Sequence, residues 1–217
     1  AMTMTKALSE WPHRWVPATS GPDGPTVLLL HGTGGDESDL LSLGAMLAPG
    51  ASLLSPRGRV LEHGMPRYFR RLREGVFDEA DIRARAPELA ALVRDAASEY
   101  GFSTSSLYAL GYSNGANMAA SLLLLEPGLL RGAVLLRAVL PLRPETRPPL
   151  TGSEVLISAG THDPMSEAAR TQQLADVLAS SGADVTLRWQ SAGHELVPGD
   201  LEDAGSWFAQ RLERGST

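Results

Sequence analysis

The clearest chemistry in this 217-residue chain lies in Gly111-Tyr112-Ser113-Asn114-Gly115. A G-x-S-x-G run between a strand and a helix makes a sharp turn that lifts a serine hydroxyl clear of the sheet. The helix that follows points its N-terminal N–H groups at the serine, where they can hold a developing oxyanion. A serine hydroxyl is a poor nucleophile at neutral pH, so it needs a general base that a third group orients. In this context the chain order is serine, acid, histidine. His13, His31 and His63 precede the serine, which leaves His162 and His194. His194 follows the last expected strand, in Ser191-Ala192-Gly193-His194. That is the carboxyl edge of a sheet, where ligands bind in open α/β folds. Asp163 lies in the turn after the preceding strand, in Gly160-Thr161-His162-Asp163-Pro164, and is the expected acid. Its bland role is to cap the next helix, and both roles can hold at once. Glu126, Glu145, Glu154, Glu167, Asp176 and Asp184 fall on helices, in a Pro-rich loop or at the wrong strand end. His162 reads as a loop neighbour of Asp163, and Glu195 as solvated.

An acyl-transfer site also needs a second oxyanion donor. His31-Gly32-Thr33-Gly34-Gly35 follows the first strong strand, and glycine there lets backbone approach a substrate closely. The expected donors are the N–H groups of Thr33 and Asn114, with Gly32 beside the substrate. The turn lacks the G-x-G-x-x-G spacing and the lysine of phosphate-binding loops, so a nucleotide site is not indicated. His31 reads as a structural hydrogen-bonder.

Residues 57–75 (RGRVLEHGMPRYFRRLREG) hold six arginines against Glu62 and Glu74. One reading makes the segment a wall of the substrate pocket. Met65, Tyr68 and Phe69 would supply its surface, and Arg70 or Arg71 would pair with an anionic group. The other is a solvated loop whose arginines pair with surface carboxylates.

The elements that must position these residues alternate along the chain. Strands are expected at 26–30, 51–55, 106–110, 132–136, 154–159 and 184–189. Helices are expected at 87–100, 114–126, 166–181 and 198–212. This alternation means βαβ units and a mostly parallel sheet. Residues 141–149 (PLRPETRPP) read as a surface crossover loop, and no composition break marks a linker, so 1–217 is expected to be one domain. Residues 1–10 are expected to be flexible. Ala1 ahead of Met2 reads as a residue left over from expression.

Composition narrows the class. A net charge of −6 with no basic stripe argues against nucleic acid as a partner. The absence of cysteine excludes a thiolate nucleophile, a disulfide scaffold and a Cys-based zinc site. It also fits a reducing compartment, and the expected location is cytoplasmic. No apolar run is long enough to span a bilayer, and the N-terminus lacks a signal-peptide core.

Taken together, the HGTGG turn, the GYSNG elbow, the HDP turn and the late Gly-His resemble the phospholipase/carboxylesterase family of the α/β-hydrolase superfamily, which includes acyl-protein thioesterases. The resemblance runs from about Thr26 to Leu212. It implies an α/β-hydrolase fold, with a mostly parallel central sheet, helices on both faces and no large cap domain. It implies Ser113, Asp163 and His194 as triad, Thr33 and Asn114 as oxyanion hole, and small-molecule ester substrates. No cofactor and no metal is implied. A homodimer is open by resemblance, although no heptad or exposed apolar stripe demands one. Asn114 stands where thioesterase-type members carry Gln, and Met165-Ser166 stands where Val-Pro often follows Asp-Pro. The leading expectation is therefore a serine carboxylesterase acting through an acyl-enzyme. A thioesterase or lysophospholipase is the alternative within that chemistry, and a non-catalytic binding protein is the alternative outside it.

Overall fold

The computed structural model describes residues 5–214; residues 1–4, with the expected leftover Ala1, and 215–217 lie outside the described residues. Within the span 1–10, Lys6–Glu10 form a short helix, α1. Thr5 Oγ1 caps it by accepting from Leu8 N at 3.2 Å, and Leu8 is fully buried. A buried leucine at this position outweighs the polar residues around it.

The chain continues through β1 (His13–Val16), β2 (Thr26–Leu30), α2 (Leu41–Leu47) and β3 (Ser52–Pro56). Two small antiparallel hairpins follow: β4 (Val60–Glu62) with β5 (Met65–Arg67), and β6 (Arg71–Arg73) with β7 (Val76–Phe77). Then come α3 (Glu79–Tyr100), β8 (Leu107–Tyr112), α4 (Asn114–Leu125), β9 (Gly132–Leu136), β10 (Glu154–Gly160), α5 (Ala168–Ser180), β11 (Asp184–Gln190) and α6 (Pro198–Arg214). Seven strands form one sheet in the order β1-β3-β2-β8-β9-β10-β11. All neighbours are parallel except the edge pair β1 and β3.

Strand β2 shows why the sheet is covered on both faces. All five of its residues are buried. Leu28 and Leu30 join the core built with α3, α4 and α5, while Val27 and Leu29 join the core built with α2 and α6. Side chains alternate faces along a strand, so a continuous apolar run serves two cores at once.

Helix α3 begins eight residues before the expected start at Pro87. Asp78 caps it, its Oδ1 accepting from Asp81 N at 3.1 Å, and Glu79 and Asp81 favour the positive end of the helix dipole. Ile82, Ala86, Leu89 and Val93 are buried on one face, whereas Pro87 is exposed. The amphipathic stripe therefore carries the helix through a proline whose missing bond lies on the solvent side.

The 57–75 segment is built as structure, not as an open loop. His63 and Gly64 both have positive φ, 51° and 80°, as a two-residue type I′ hairpin turn requires. The proline-rich connection from β9 to β10 has no helix or strand, and buried Leu142 and Leu150 anchor it. The turns after β2, β8, β10 and β11 all emerge at the same carboxyl edge of the sheet.

Candidate active site

Ser113 sits between β8 and α4 at φ 54° and ψ −114°, a backbone conformation that L residues rarely adopt. Its N–H donates to Leu136 O at 2.9 Å, which ties the turn to β9. Two glycines make the turn feasible. A Cβ on Gly115 would run into the backbone of Leu30, and one on Gly111 would lie 2.6 Å from Gly115 O.

The three residues expected to act together form one hydrogen-bonded chain. Ser113 Oγ lies 2.8 Å from His194 Nε2, and His194 Nδ1 lies 2.8 Å from Asp163 Oδ2. The Asp163 side chain is 1% exposed and that of His194 16%. A carboxylate only accepts, so Nδ1–H donates to Asp163 and the neutral ring leaves Nε2 to accept from Ser113. The other oxygen of Asp163 accepts from Met165 N at 2.8 Å and Ser166 N at 3.0 Å. Asp163 thus organises its own turn as well as the histidine. Tyr112 OH donates to His194 O at 3.0 Å.

Asn114 is the first residue of α4, where a backbone N–H has no acceptor within the helix. Its side-chain Oδ1 accepts from Tyr68 N at 2.7 Å, which pins the β5 hairpin to the nucleophile helix. Thr33 lies in the turn after β2, and its hydroxyl accepts from Arg67 Nη1 at 2.6 Å. Gly32 lies against Tyr112; a Cβ there would be 3.0 Å from the ring. His31 has both ring nitrogens engaged: Nδ1 is 2.7 Å from Gly32 O, and Nε2 accepts from Gly58 N at 2.9 Å. Burial holds its pKa below the usual histidine value. His162 is exposed, with its Nε2 3.2 Å from Thr161 Oγ1, and takes no part in the chain.

The arginine-rich segment splits in a way its sequence did not reveal. Arg70 points to solvent and pairs with Asp78 at 2.8 Å, outside the cleft. Tyr68 and Phe69 are buried in the core, not exposed on a pocket wall. Tyr68 OH donates to Pro56 O at 2.7 Å and accepts from His31 N at 3.2 Å. Met65 is half exposed on the hairpin and is not part of the cleft lining. Arg71 does line the cleft, together with Arg67, Phe77, Ser113, Asn117 and His194. The cleft is shallow: it encloses about 30 Å³. That is well below the roughly 300 to 1,000 Å³ of pockets that bury a drug-sized ligand.

Three neighbours of these residues escaped the sequence reading. Arg67 has a side chain only 3% exposed. Asn117 lines the cleft while its Oδ1 accepts from Val139 N at 2.9 Å. Arg137, fully buried at φ 63°, forks onto Asp200 at 2.7 and 2.8 Å. Its Nε donates to Gly193 O at 2.9 Å and its Nη2 to Glu195 O at 2.7 Å, one carbonyl on each side of His194. A charged residue inside the apolar run 133–140 was the one available signal. Burial pushes the Asp200 carboxyl up, but hydrogen bonds from Arg137, Ser158 and Val197 N outweigh it and hold the pKa below the usual range.

Among the described residues, no group of three or more metal-ligating side chains is arranged to hold an ion. No described helix is long and apolar enough to cross a membrane.

Comparison with known families places this geometry. The model of the phospholipase/carboxylesterase family matches residues 12–211. The chain belongs to that family. It is thus an ester-hydrolysing enzyme with an α/β-hydrolase fold and small-molecule ester substrates. MhqD of Bacillus subtilis (strain 168) is 44% identical over 192 residues, covering 88% of this chain and 96% of that relative. A Bacillus cereus carboxylesterase structure is 43% identical with a TM-score of 0.89, over 95% of this chain and 100% of that one. A carboxylesterase structure from Mesorhizobium loti is 32% identical with a TM-score of 0.85, over 95% and 98%.

Proposed function

We propose that the enzyme is a serine carboxylesterase that hydrolyses small carboxylic esters through Ser113, His194 and Asp163. The observation that carries this reading is the chain of two 2.8 Å contacts from Ser113 Oγ through His194 to Asp163, open to the cleft. In the first step Ser113 attacks the acyl carbon while His194 Nε2 takes its proton. Asp163 holds the imidazole in the required tautomer and stabilises the imidazolium that forms. The N–H groups of Asn114 and Thr33 receive the oxyanion, an interaction of the kind worth about 3–4 kcal/mol per donor. His194 returns the proton to the leaving alkoxide. Water then attacks the acyl-enzyme by the same route and releases Ser113. The small cleft favours short acyl groups.

The test is hydrolysis of p-nitrophenyl esters from acetate to palmitate by wild type and Ser113→Ala. Wild type is expected to prefer the short esters, and Ser113→Ala to lose activity by a factor on the order of 10⁴ to 10⁶. Activity retained near wild-type level in Ser113→Ala overturns the mechanism.

A further inference from the structure

The desolvated part of the serine cleft is one negative charge short. The Arg71 and Glu62 side chains are 22% and 24% exposed, and Arg67 is 3% exposed. Glu62 accepts from Arg71 Nε at 3.0 Å and Nη2 at 2.7 Å, and lies 3.6 Å from Arg67 Nε. One carboxylate therefore serves two guanidiniums. The hydrogen bonds of Arg67 go to neutral oxygens, Thr33 Oγ1 at 2.6 Å and Phe69 O at 3.1 Å. Burial pushes the Arg67 pKa down to about 10, and the charge of Arg71 pushes the same way, but the group stays protonated at neutral pH. A buried guanidinium and a partly buried one beside a single carboxylate are costly unless another anion joins them. Asp163 is engaged by His194, and Glu74, the other carboxylate of the lining, is exposed and screened by water.

We infer that the cleft selects esters that carry a free carboxylate, which Arg67 and Arg71 receive beside Ser113. This rests on the serine-esterase reading of the same site. A guanidinium suits the task because its planar fork matches a carboxylate. Arg67 is bonded to the hydroxyl of Thr33, whose N–H is the proposed oxyanion donor. The carboxylate then sits a few bonds from the ester carbonyl. A monoester of a short dicarboxylic acid has that spacing on the acyl side, and an acylated hydroxy acid has it on the alcohol side. Hydrolysis of monoethyl succinate consumes one water and yields ethanol, succinate and one proton, which a pH-stat counts.

The experiment compares kcat/KM in a pH-stat at pH 7.5 for monoethyl succinate, O-acetylglycolate and ethyl butyrate. Ethyl butyrate replaces the succinate carboxylate by a methyl group. At least one acid ester is expected to exceed ethyl butyrate tenfold or more, and which one identifies the side that carries the charge. Arg71→Gln is the variant of choice, because Arg67 is too buried to remove safely. It is expected to cut the acid-to-neutral ratio at least fivefold, with Arg71→Lys recovering part of it. Glu74→Gln is expected to raise the ratio by removing an opposing charge at the rim. A wild-type ratio of one or less for both acid esters overturns the inference, as does a ratio that Arg71→Gln leaves unchanged. Ethyl butyrate turnover that disappears in Ser113→Ala leaves the esterase reading standing in either case. Turnover of no ester at all overturns both.

Discussion

At the scale of single residues, the site depends as much on missing atoms as on present ones. Gly115 lets α4 start directly against the end of β2. A Cβ there would drive into the Leu30 backbone and reach 2.5 Å from His31 O, and β2 cannot retreat from a sheet buried on both faces. Gly115→Ala is therefore expected to belong to the exceptional class of substitutions, above about 4 kcal/mol, with esterase activity lost. Gly24→Ala is the matched control: nothing lies within 4 Å of its Cβ, and the change is expected to stay within about 0.5 kcal/mol. Chemical denaturation of the two variants beside wild type checks both, and similar midpoints for them would refute the steric account. This crowding also explains why the elbow was legible in the sequence. Few residue types fit such a turn, so the pattern survives as text. Arg67 and Asn117 left no such trace, because their place in the cleft depends on which distant segments pack against them.

At the scale of elements, the loop that carries His194 is held by a residue from another strand. Arg137 follows β9, and its side chain bonds the carbonyls on both sides of His194 while paired to Asp200 at the start of α6. Its own carbonyl accepts from Ser166 Oγ at 3.2 Å, in the turn that Asp163 organises. One buried residue thus ties together the loops of the acid and the base. Lysine in its place keeps a charge for Asp200 but loses the fork that reaches two carbonyls. Arg137→Lys is expected to lower kcat tenfold or more with KM little changed. The loss of two charge-assisted bonds, about 1.5–3 kcal/mol each, should also lower Tm. At about 2–4 °C per kcal/mol for a chain of this size, the drop is roughly 6–24 °C. A Tm drop with kcat intact would make the contact structural only. Elements were legible where apolar periodicity marks them, as in β2, β8 and α4. The hairpins of the arginine-rich segment lack that alternation. The turn of the first hairpin is written in His63-Gly64, which reads as a hairpin only once both positive φ values are known.

At the scale of the whole molecule, groups that hold the functional edge together also set its response to acid. Glu37, Glu62 and Asp200 all have pKa values below the ordinary range, chiefly through hydrogen bonds from Arg57, from Arg71, and from Arg137 with Ser158. A carboxylate with a depressed folded pKa adds stability that is present above the unfolded value, near 4, and is lost as pH falls through the folded value. His31 acts earlier. Burial lowers its pKa from about 6.5, against smaller opposing contributions from its hydrogen bond to Gly32 and from Asp39, Asp36 and Glu37. Below pH 6.5 the unfolded chain binds a proton that the folded chain refuses, so stability falls as pH falls. Geometry gives the same sign, because a protonated Nε2 could no longer accept from Gly58 N. The unfolding free energy is expected to decline in two stages, a shallow one below about pH 6.5 and a steeper one below about 4.5. One proton sets a ceiling of about 1.4 kcal/mol per pH unit on the first stage. His31→Gln can still accept from Gly58 and donate to Gly32 without titrating, so it should remove the first stage and leave the second. Urea unfolding of both proteins from pH 4 to 8 measures this. Parallel curves between pH 5 and 7 would show that His31 does not govern the first loss of stability.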